Sequence, residues 1–166
     1  VGARRAQSLL VVASGHIVSF ILLLFLCQGF RLPPTRHDLL FAAAGGFEGS
    51  LALAVFYRAL AMGAMGLTAA LTGLLTALIP VLFSAAWEGL PGPLTAAGLA
   101  VGLGAIWLIA HTPAGSGPAT PRSALLLGAL AGVGFGAQLI LFKMASHGGL
   151  LWTMTSARAA GSLAMV

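Results

Sequence analysis

The chain has 166 residues, of which 59% are hydrophobic and 7% are charged, and its mean hydropathy is +1.03. Soluble domains carry about a quarter of their residues as Asp, Glu, Lys and Arg, so eight basic and three acidic residues are too few to cover a water-facing surface. The net charge of +5 does not indicate nucleic-acid binding, because the basic residues form no cluster longer than Arg4-Arg5. The composition predicts a protein whose principal partner is the lipid bilayer.

Charge-free runs of about 20 residues indicate transmembrane helices, because a helix must cross roughly 30 Å of hydrocarbon. Five such runs are expected to span the membrane, namely 6–30, 39–57, 59–87, 89–121 and 123–142. A sixth apolar stretch begins near Leu150, and we expect it to be a span that is cut short at Val166. The runs are rich in Leu and Ala and do not alternate apolar with polar residues, so we predict an all-α integral membrane protein built as an antiparallel bundle rather than a barrel.

Short segments rich in Pro and Gly separate these runs and are typical of helix-stopping turns. They are Pro33-Pro34, Pro91 to Pro93, and His111 to Arg122. Charged residues at such turns, including Asp38 and Glu88, are expected to be solvated.

An internal repeat is suggested by the segments Gly2–Val12 and Ser156–Val166, which share six of eleven residues at an offset of 154, Arg4 and Arg158 among them. Chance similarity between two Ala-rich and Leu-rich segments is the alternative. A genuine repeat separated by five spans has inverted topology, which is a transporter architecture.

The stretch from Phe56 to Ala110 resembles the EamA domain of the drug/metabolite transporter superfamily. The resemblance rests on the order of its features: Tyr57-Arg58-Ala59-Leu60 at the end of one span, a small-residue helix containing Pro80, an acid at Glu88, and the Gly-rich helix Gly98–Ile109. Trp87 stands where that family usually has Gly.

This resemblance implies a protein of ten helices in two inverted five-helix halves, with both ends in the cytoplasm, that exports metabolites or drugs. Residues 1–111 would then be the latter part of the first repeat with four transmembrane helices, 112–122 the linker, and 123–166 the start of the second repeat with one helix and a truncated second. It also implies that the side holding Arg31, Arg36 and Lys143 is cytoplasmic. Basic residues cannot orient the chain, since alternating loops place four on each side.

Glu48 lies at the centre of the second span, where a carboxylate costs several kcal/mol. We predict that it carries a proton or binds a cation in a substrate pathway; a carboxyl group hydrogen-bonded to a neighbouring helix is the alternative. Thr68, Thr72 and Thr76 recur at four-residue intervals before a predicted helix break at Pro80, and this stripe either lines the pathway or packs between helices.

His16 and Gln138 are further candidates for the same cavity. No cofactor or metal is expected: Cys27 is the only cysteine, His16 has no partner at ligand spacing on its helix, and no Walker loop occurs. An enzyme is not indicated.

Four pairs of small residues at spacing four predict close helix packing. They are Gly45/Gly49, Gly98/Gly102, Gly128/Gly132 and Gly132/Gly136. Self-association is the alternative for the second pair. Trp87, Trp107 and Trp152 lie near predicted span ends, as residues of an interfacial belt do.

Taken together, the sequence predicts a secondary-active, multi-pass exporter of a small metabolite or drug in the cytoplasmic (inner) membrane, with alternating access and proton coupling as an option. The alternative is a non-transporting membrane subunit, or a small dual-topology protein that acts as a homodimer.

Overall fold

The computed structural model describes residues 2–27, 35–62, 65–111, 121–145 and 149–164. Over these residues the regular structure is entirely helical, which confirms the all-α class. Six helices follow in order: α1 (Gly2–Cys27), α2 (Arg36–Leu60), α3 (Met65–Trp87), α4 (Pro93–His111), α5 (Arg122–Met144) and α6 (Leu150–Ala164).

Three of the described helices, α2, α3 and α5, are long and apolar enough to cross a membrane. Shorter apolar helical segments, Ile17–Cys27 and Pro93–Leu108, lie within α1 and α4. Length and composition therefore support a membrane protein, while crossings by α1 and α4 stay predictions.

The predicted turns around α4 agree with the helix bounds, since α4 begins at Pro93 and ends at His111 and α5 begins at Arg122. Proline is favoured at the first position of a helix because its missing N–H would have no partner there. Gly89, with φ of 107°, provides the left-handed residue after α3.

The expected helix break at Pro80 is not a helix end, because α3 continues through Pro80 to Trp87. Proline removes one backbone hydrogen bond, that to the carbonyl of Thr76, but hydrogen bonding resumes within a turn. Membrane helices tolerate this loss where neighbouring groups satisfy the freed carbonyl.

Two compact units share the chain, with boundaries inside α2 and α5. The first unit comprises residues 1–50 and 140–166, and in it α1 packs against α6. Cys27, a buried free cysteine, lies 3.3 Å from the Thr155 hydroxyl at this contact.

The second unit comprises residues 51–139, in which α3 contacts both α4 and α5. Successive glycines of α5 lie against successive turns of α3: Gly128 against Thr68, Gly132 against Leu75 and Gly136 against Ile79. Positions rise together along both helices, so α3 and α5 run in the same direction, as helices two apart do when successive helices alternate.

Candidate functional site

Glu48 lies near the middle of α2, beside its most closely packed turn. A Cβ atom added at Gly45 would lie 2.7 Å from Cε1 of Phe142, and one at Gly46 would overlap the backbone of Ala157. The α2 backbone therefore contacts the α6 backbone directly at Gly46, which only glycine permits, and the Phe142 side chain at the end of α5 packs against Gly45.

Ser50 continues this contact on the other side of Glu48. Its hydroxyl donates to the Gly46 carbonyl at 2.9 Å, and the Gly161 carbonyl is a second acceptor at 3.4 Å. Gly46 and Ser50 lie against Ala157 and Gly161 respectively, so α2 and α6 run in the same direction here. The helix that carries Glu48 is thus held at two points one turn apart.

The Glu48 side chain is half-buried. Among the described residues, no hydrogen bond or ion pair to its carboxylate is present. The hydrogen-bonded carboxyl group that was the alternative therefore has no partner in that part of the chain. A carboxylate at this depth of a hydrocarbon-spanning helix needs a proton, a cation, water or another helix to offset its cost.

The first two threonines of the α3 stripe pack against α5. Thr68 and Thr72 are buried, and the Thr72 hydroxyl lies 2.9 Å from the Thr68 carbonyl and 2.8 Å from the Gly128 carbonyl, either of which can accept its proton. Thr76 donates to the Thr72 carbonyl at 2.8 Å. These are the self-satisfying bonds that the packing alternative describes.

The Thr68 hydroxyl differs from its neighbours. It is fully buried, and it has no hydrogen-bond partner within the part of the chain that the structure describes. A buried hydroxyl without a partner costs about 1–3 kcal/mol. The Thr68 hydroxyl either lowers the stability of the protein by this amount or binds a polar group from outside the described residues.

Beyond Thr76 the four-residue spacing continues through Pro80, Ser84 and Glu88. Because four residues exceed one turn of 3.6, each step rotates the stripe by about 40° around the helix. The stripe therefore leaves α5 and reaches the side of α4, where Pro80, Ser84 and Glu88 line a cleft of about 420 Å³ together with Thr95. This cleft was not predicted, although the four-residue spacing, continued past Pro80 to Ser84 and Glu88, indicates it.

The remaining candidates are not brought to Glu48 by any described contact. Glu48 belongs to the first unit, whereas Gln138 and the threonine stripe belong to the second. Gln138 is half-buried in α5, and the side chain of His16 lies outside the described residues. A cavity shared by these residues stays a prediction.

Asp38 corrects the expectation of a solvated turn residue, because it is only 2% exposed. Its Oδ2 accepts from the Thr35 hydroxyl at 2.6 Å and from the Thr35 backbone N–H at 3.2 Å. The Asp38 backbone N–H donates in turn to the Thr35 hydroxyl at 3.1 Å. This is a capping box, and the Thr-x-x-Asp spacing before an apolar run could have predicted it.

The tryptophans differ in exposure. Trp87 and Trp107 are 75% and 62% exposed, as belt residues are. Trp152 is half-buried, and its indole N–H is buried with no hydrogen-bond partner among the described residues. It therefore packs inside the first unit rather than lying wholly at a lipid-facing surface.

The composition and the helices define an all-α protein with three helices able to cross a membrane. Metal ligation has no candidate within the described ranges, where no group of three or more His, Cys, Asp and Glu residues could hold an ion. The chain matches no protein-family model, no curated protein and no solved structure. The resemblance to the EamA domain stays a prediction.

Proposed function

We propose that this chain is part of a secondary-active transporter of the EamA type, which exports a small metabolite or drug across the cytoplasmic membrane by alternating access. The observation that supports the proposal is Glu48: a half-buried carboxylate in the middle of a helix long enough to span the membrane, with no hydrogen-bond or ion-pair partner among the described residues.

The chemistry of such a carboxylate suits coupling. An acid inside a membrane protein faces the bundle interior or a water-filled cavity, and it marks an ion or proton pathway by default. A carboxyl group that gains access first to one side and then to the other can bind a proton on one side and release it on the other. The tight contacts of Gly45 and Gly46 hold the helix backbone in place beside Glu48.

The test is transport by a Glu48→Gln variant in proteoliposomes, with an imposed pH gradient and a panel of radiolabelled amino acids, nucleosides and lipophilic cations. Glutamine keeps the size and hydrogen-bonding capacity of the side chain but cannot exchange a proton. We expect the variant to lose gradient-driven flux while keeping substrate binding.

Leu51→Gln is the matched control, because it places the same amide one turn away at a 45% exposed position of α2. We expect flux through this control to equal that of the original chain. Full, gradient-dependent flux through Glu48→Gln would remove Glu48 from the mechanism.

The alternative function is a non-transporting membrane subunit or a small dual-topology protein that forms a homodimer. One observation favours it: a Cβ atom added at Gly98 would meet no atom within 4 Å, unlike the packed glycines of α5. A dimer by mass in mild detergent that dissociates on Gly98→Leu, with no flux for any solute, would support this alternative over the transporter.

A further inference from the structure

The contact between α2 and α6 is made by small residues at four-residue intervals on both helices. Ala42, Gly46 and Ser50 are buried on α2, and Ala157 and Gly161 are buried on α6. Gly46 lies against Ala157 and Ser50 against Gly161, and both pairs belong to the first unit. Four residues correspond to about one helical turn and about 6 Å of rise, so a similar small surface recurs on each helix one turn further along.

This recurrence allows a second register. If α6 moves by one turn toward its N-terminal end, Gly161 replaces Ala157 against Gly46. Ala157 then comes against Ala42. The close approach at Gly46, where an added Cβ atom would overlap the Ala157 backbone, is then made by two glycines. A move in the other direction brings Thr153 against Gly46, and a branched side chain does not fit where two backbones touch.

Three buried hydroxyl groups fasten α6 in the described part of the first unit, and each has two hydrogen-bond partners. The partners on a neighbouring segment are the Gly161 carbonyl for Ser50, the Ala145 carbonyl for Thr153 and the Cys27 thiol for Thr155, at 3.4, 3.0 and 3.3 Å. The partners four residues earlier in the chain are the carbonyls of Gly46, Gly149 and Leu151, at 2.9, 3.2 and 2.8 Å. Each hydroxyl therefore keeps an acceptor if α6 leaves its present position.

The second partner lowers the cost of the move, because a buried hydroxyl left without any partner is destabilising. A fourth hydroxyl, that of Ser156, donates to the Leu39 carbonyl at 2.9 Å on an exposed surface, where water can replace either group. The residue before α6 can also follow the helix. Gly149 has φ of 89° and open space around it, and glycine changes its backbone conformation readily.

We propose that α6 exchanges between two registers on α2 that differ by one helical turn. Shifts of one turn between packed elements are an established form of conformational switching. The close contact at Gly46 holds α2 in both registers, whereas α6 moves about 6 Å along it. The exchange is a property of the first unit and does not depend on transport, although in a transporter it would supply one of the motions of alternating access.

Spin labels on two exposed residues test the proposal without disturbing the contact. Leu40 on α2 and Leu163 on α6 are 71% and 80% exposed, and both are replaced by labelled cysteines in a chain in which the buried Cys27 is Ser. Because Gly46 faces Ala157, the proposed move shortens the separation of the labelled residues along the helices from about 18 Å to about 12 Å.

The distances are measured by double electron–electron resonance in lipid nanodiscs. We expect two distances that differ by about 4–6 Å, the less populated one in roughly a tenth of the molecules. The matched control carries its labels at Leu40 and Leu51, both on α2, and should give one distance. A single distance for the Leu40 and Leu163 pair, or a second distance that the control shares, would overturn the proposal.

Disulfide trapping gives the direction of the move. Ala42 and Ser50 lie one turn before and one turn after Gly46, which faces Ala157. The pairs A42C/A157C and S50C/A157C are therefore equally out of register at the start, and a disulfide requires Cα atoms within about 7 Å. We expect A42C/A157C to cross-link at least about fivefold faster, because only the proposed direction brings it into register.

Equal rates for the two pairs, or a faster S50C/A157C pair, would contradict the proposed direction. Absence of both cross-links in folded protein would overturn the exchange itself. If these buried variants fail to fold, the spin-label distances decide alone. None of these measurements requires flux, so a failure of the proposed transport function would not alter their outcome.

Discussion

The two acids of α2 are in opposite situations. Asp38 is buried and forms three hydrogen bonds with Thr35, so its charge and oxygens stabilise the first turn of the helix. Glu48 lies about 15 Å further along at 1.5 Å per residue and lacks such bonds within the described residues. Hydrogen bonds to Thr35 account for the burial of Asp38. No described contact accounts for Glu48, and for this reason we propose a function for it.

Removal of the cap should destabilise the protein measurably. Thr35→Ala deletes the hydroxyl that accepts from the Asp38 N–H and donates to its carboxylate, and loss of such a cap costs about 1 kcal/mol. We expect a lower midpoint of thermal unfolding in detergent for Thr35→Ala. Arg36→Ala, at an exposed neighbouring position, should leave the midpoint unchanged, and equal midpoints for both variants would mean that the cap does not stabilise α2.

Thr68 and Thr72 should respond differently to the same isosteric change. Thr72→Val removes a hydroxyl that has carbonyl acceptors at 2.8 and 2.9 Å, and hydrogen bonds between membrane helices average about 0.6 kcal/mol. Thr68→Val removes a buried hydroxyl for which the described residues provide no partner, so it should be neutral or stabilising. Unfolding in detergent titrated with a denaturing surfactant measures both, and a loss of stability in Thr68→Val would mean that this hydroxyl has a partner.

Transport measurements on the same threonines distinguish a role in helix packing from a role in lining the substrate pathway. The double variant Thr72→Val, Thr76→Val keeps the shape of α3 but removes two hydroxyls. Altered substrate preference would place the stripe against solute, whereas unchanged kinetics with reduced stability would assign it to packing.

At the scale of elements, charge spacing and Pro-Gly segments predict most helix bounds. The end of α4 and the start of α5 follow from the segment His111–Arg122, because a long run of Pro, Gly and Ser cannot continue a helix. α2 begins at Arg36, three residues before the predicted span 39–57, because Thr35 and Asp38 cap its first turn. At its other end α2 continues to Leu60, three residues beyond the predicted span 39–57, and the side chain of Arg58 is exposed.

Small-residue pairs predict close packing, but not which helix they pack against. Three of the four pairs contain buried glycines in tight contacts, whereas Gly98 and Gly102 line an open groove. The difference depends on which partner helix lies opposite, and the local spacing does not contain that information.

Gly132 gives the sharpest test of the α3–α5 contact. A Cβ atom there would lie 2.7 Å from Cβ of Leu75 and 2.8 Å from the Thr72 carbonyl oxygen, so Gly132→Ala should cost about 1–3 kcal/mol through overpacking. Gly66→Ala on α3 meets no atom within 4 Å and should be neutral or stabilising, since Ala is the better helix former by about 1 kcal/mol. Thermal midpoints that moved in the same direction for both variants would contradict this contact.

At the scale of the whole molecule, composition predicts a membrane protein, and long charge-free runs without alternation predict the all-α fold. The candidate pathway could not, because Glu48, Gln138 and the threonine stripe lie on different helices and in two units. Periodicity places a residue on a face of its own helix, but the meeting of two faces depends on long-range packing.

The direction in which successive helices run distinguishes the transporter from the dual-topology dimer. The parallel pairs α3/α5 and α2/α6 fit helices that alternate in direction. If α2, α3 and α4 each cross the membrane, we expect Arg36 and Glu88 on one side and Arg122 on the other. The test is single-cysteine labelling of intact spheroplasts with an impermeant maleimide, at these three positions, in a background in which the buried Cys27 is replaced by Ser.

A transporter with one orientation should label at either Arg122→Cys alone, or at Arg36→Cys and Glu88→Cys together. The resemblance to the EamA domain favours the first outcome, since it places the side of Arg36 in the cytoplasm. Equal partial labelling at all three positions would mean that copies insert both ways, because four basic residues on each side give no bias. That result would favour the homodimer, whereas labelling at Arg36→Cys but not at Glu88→Cys would mean that α2 and α3 do not both cross the bilayer.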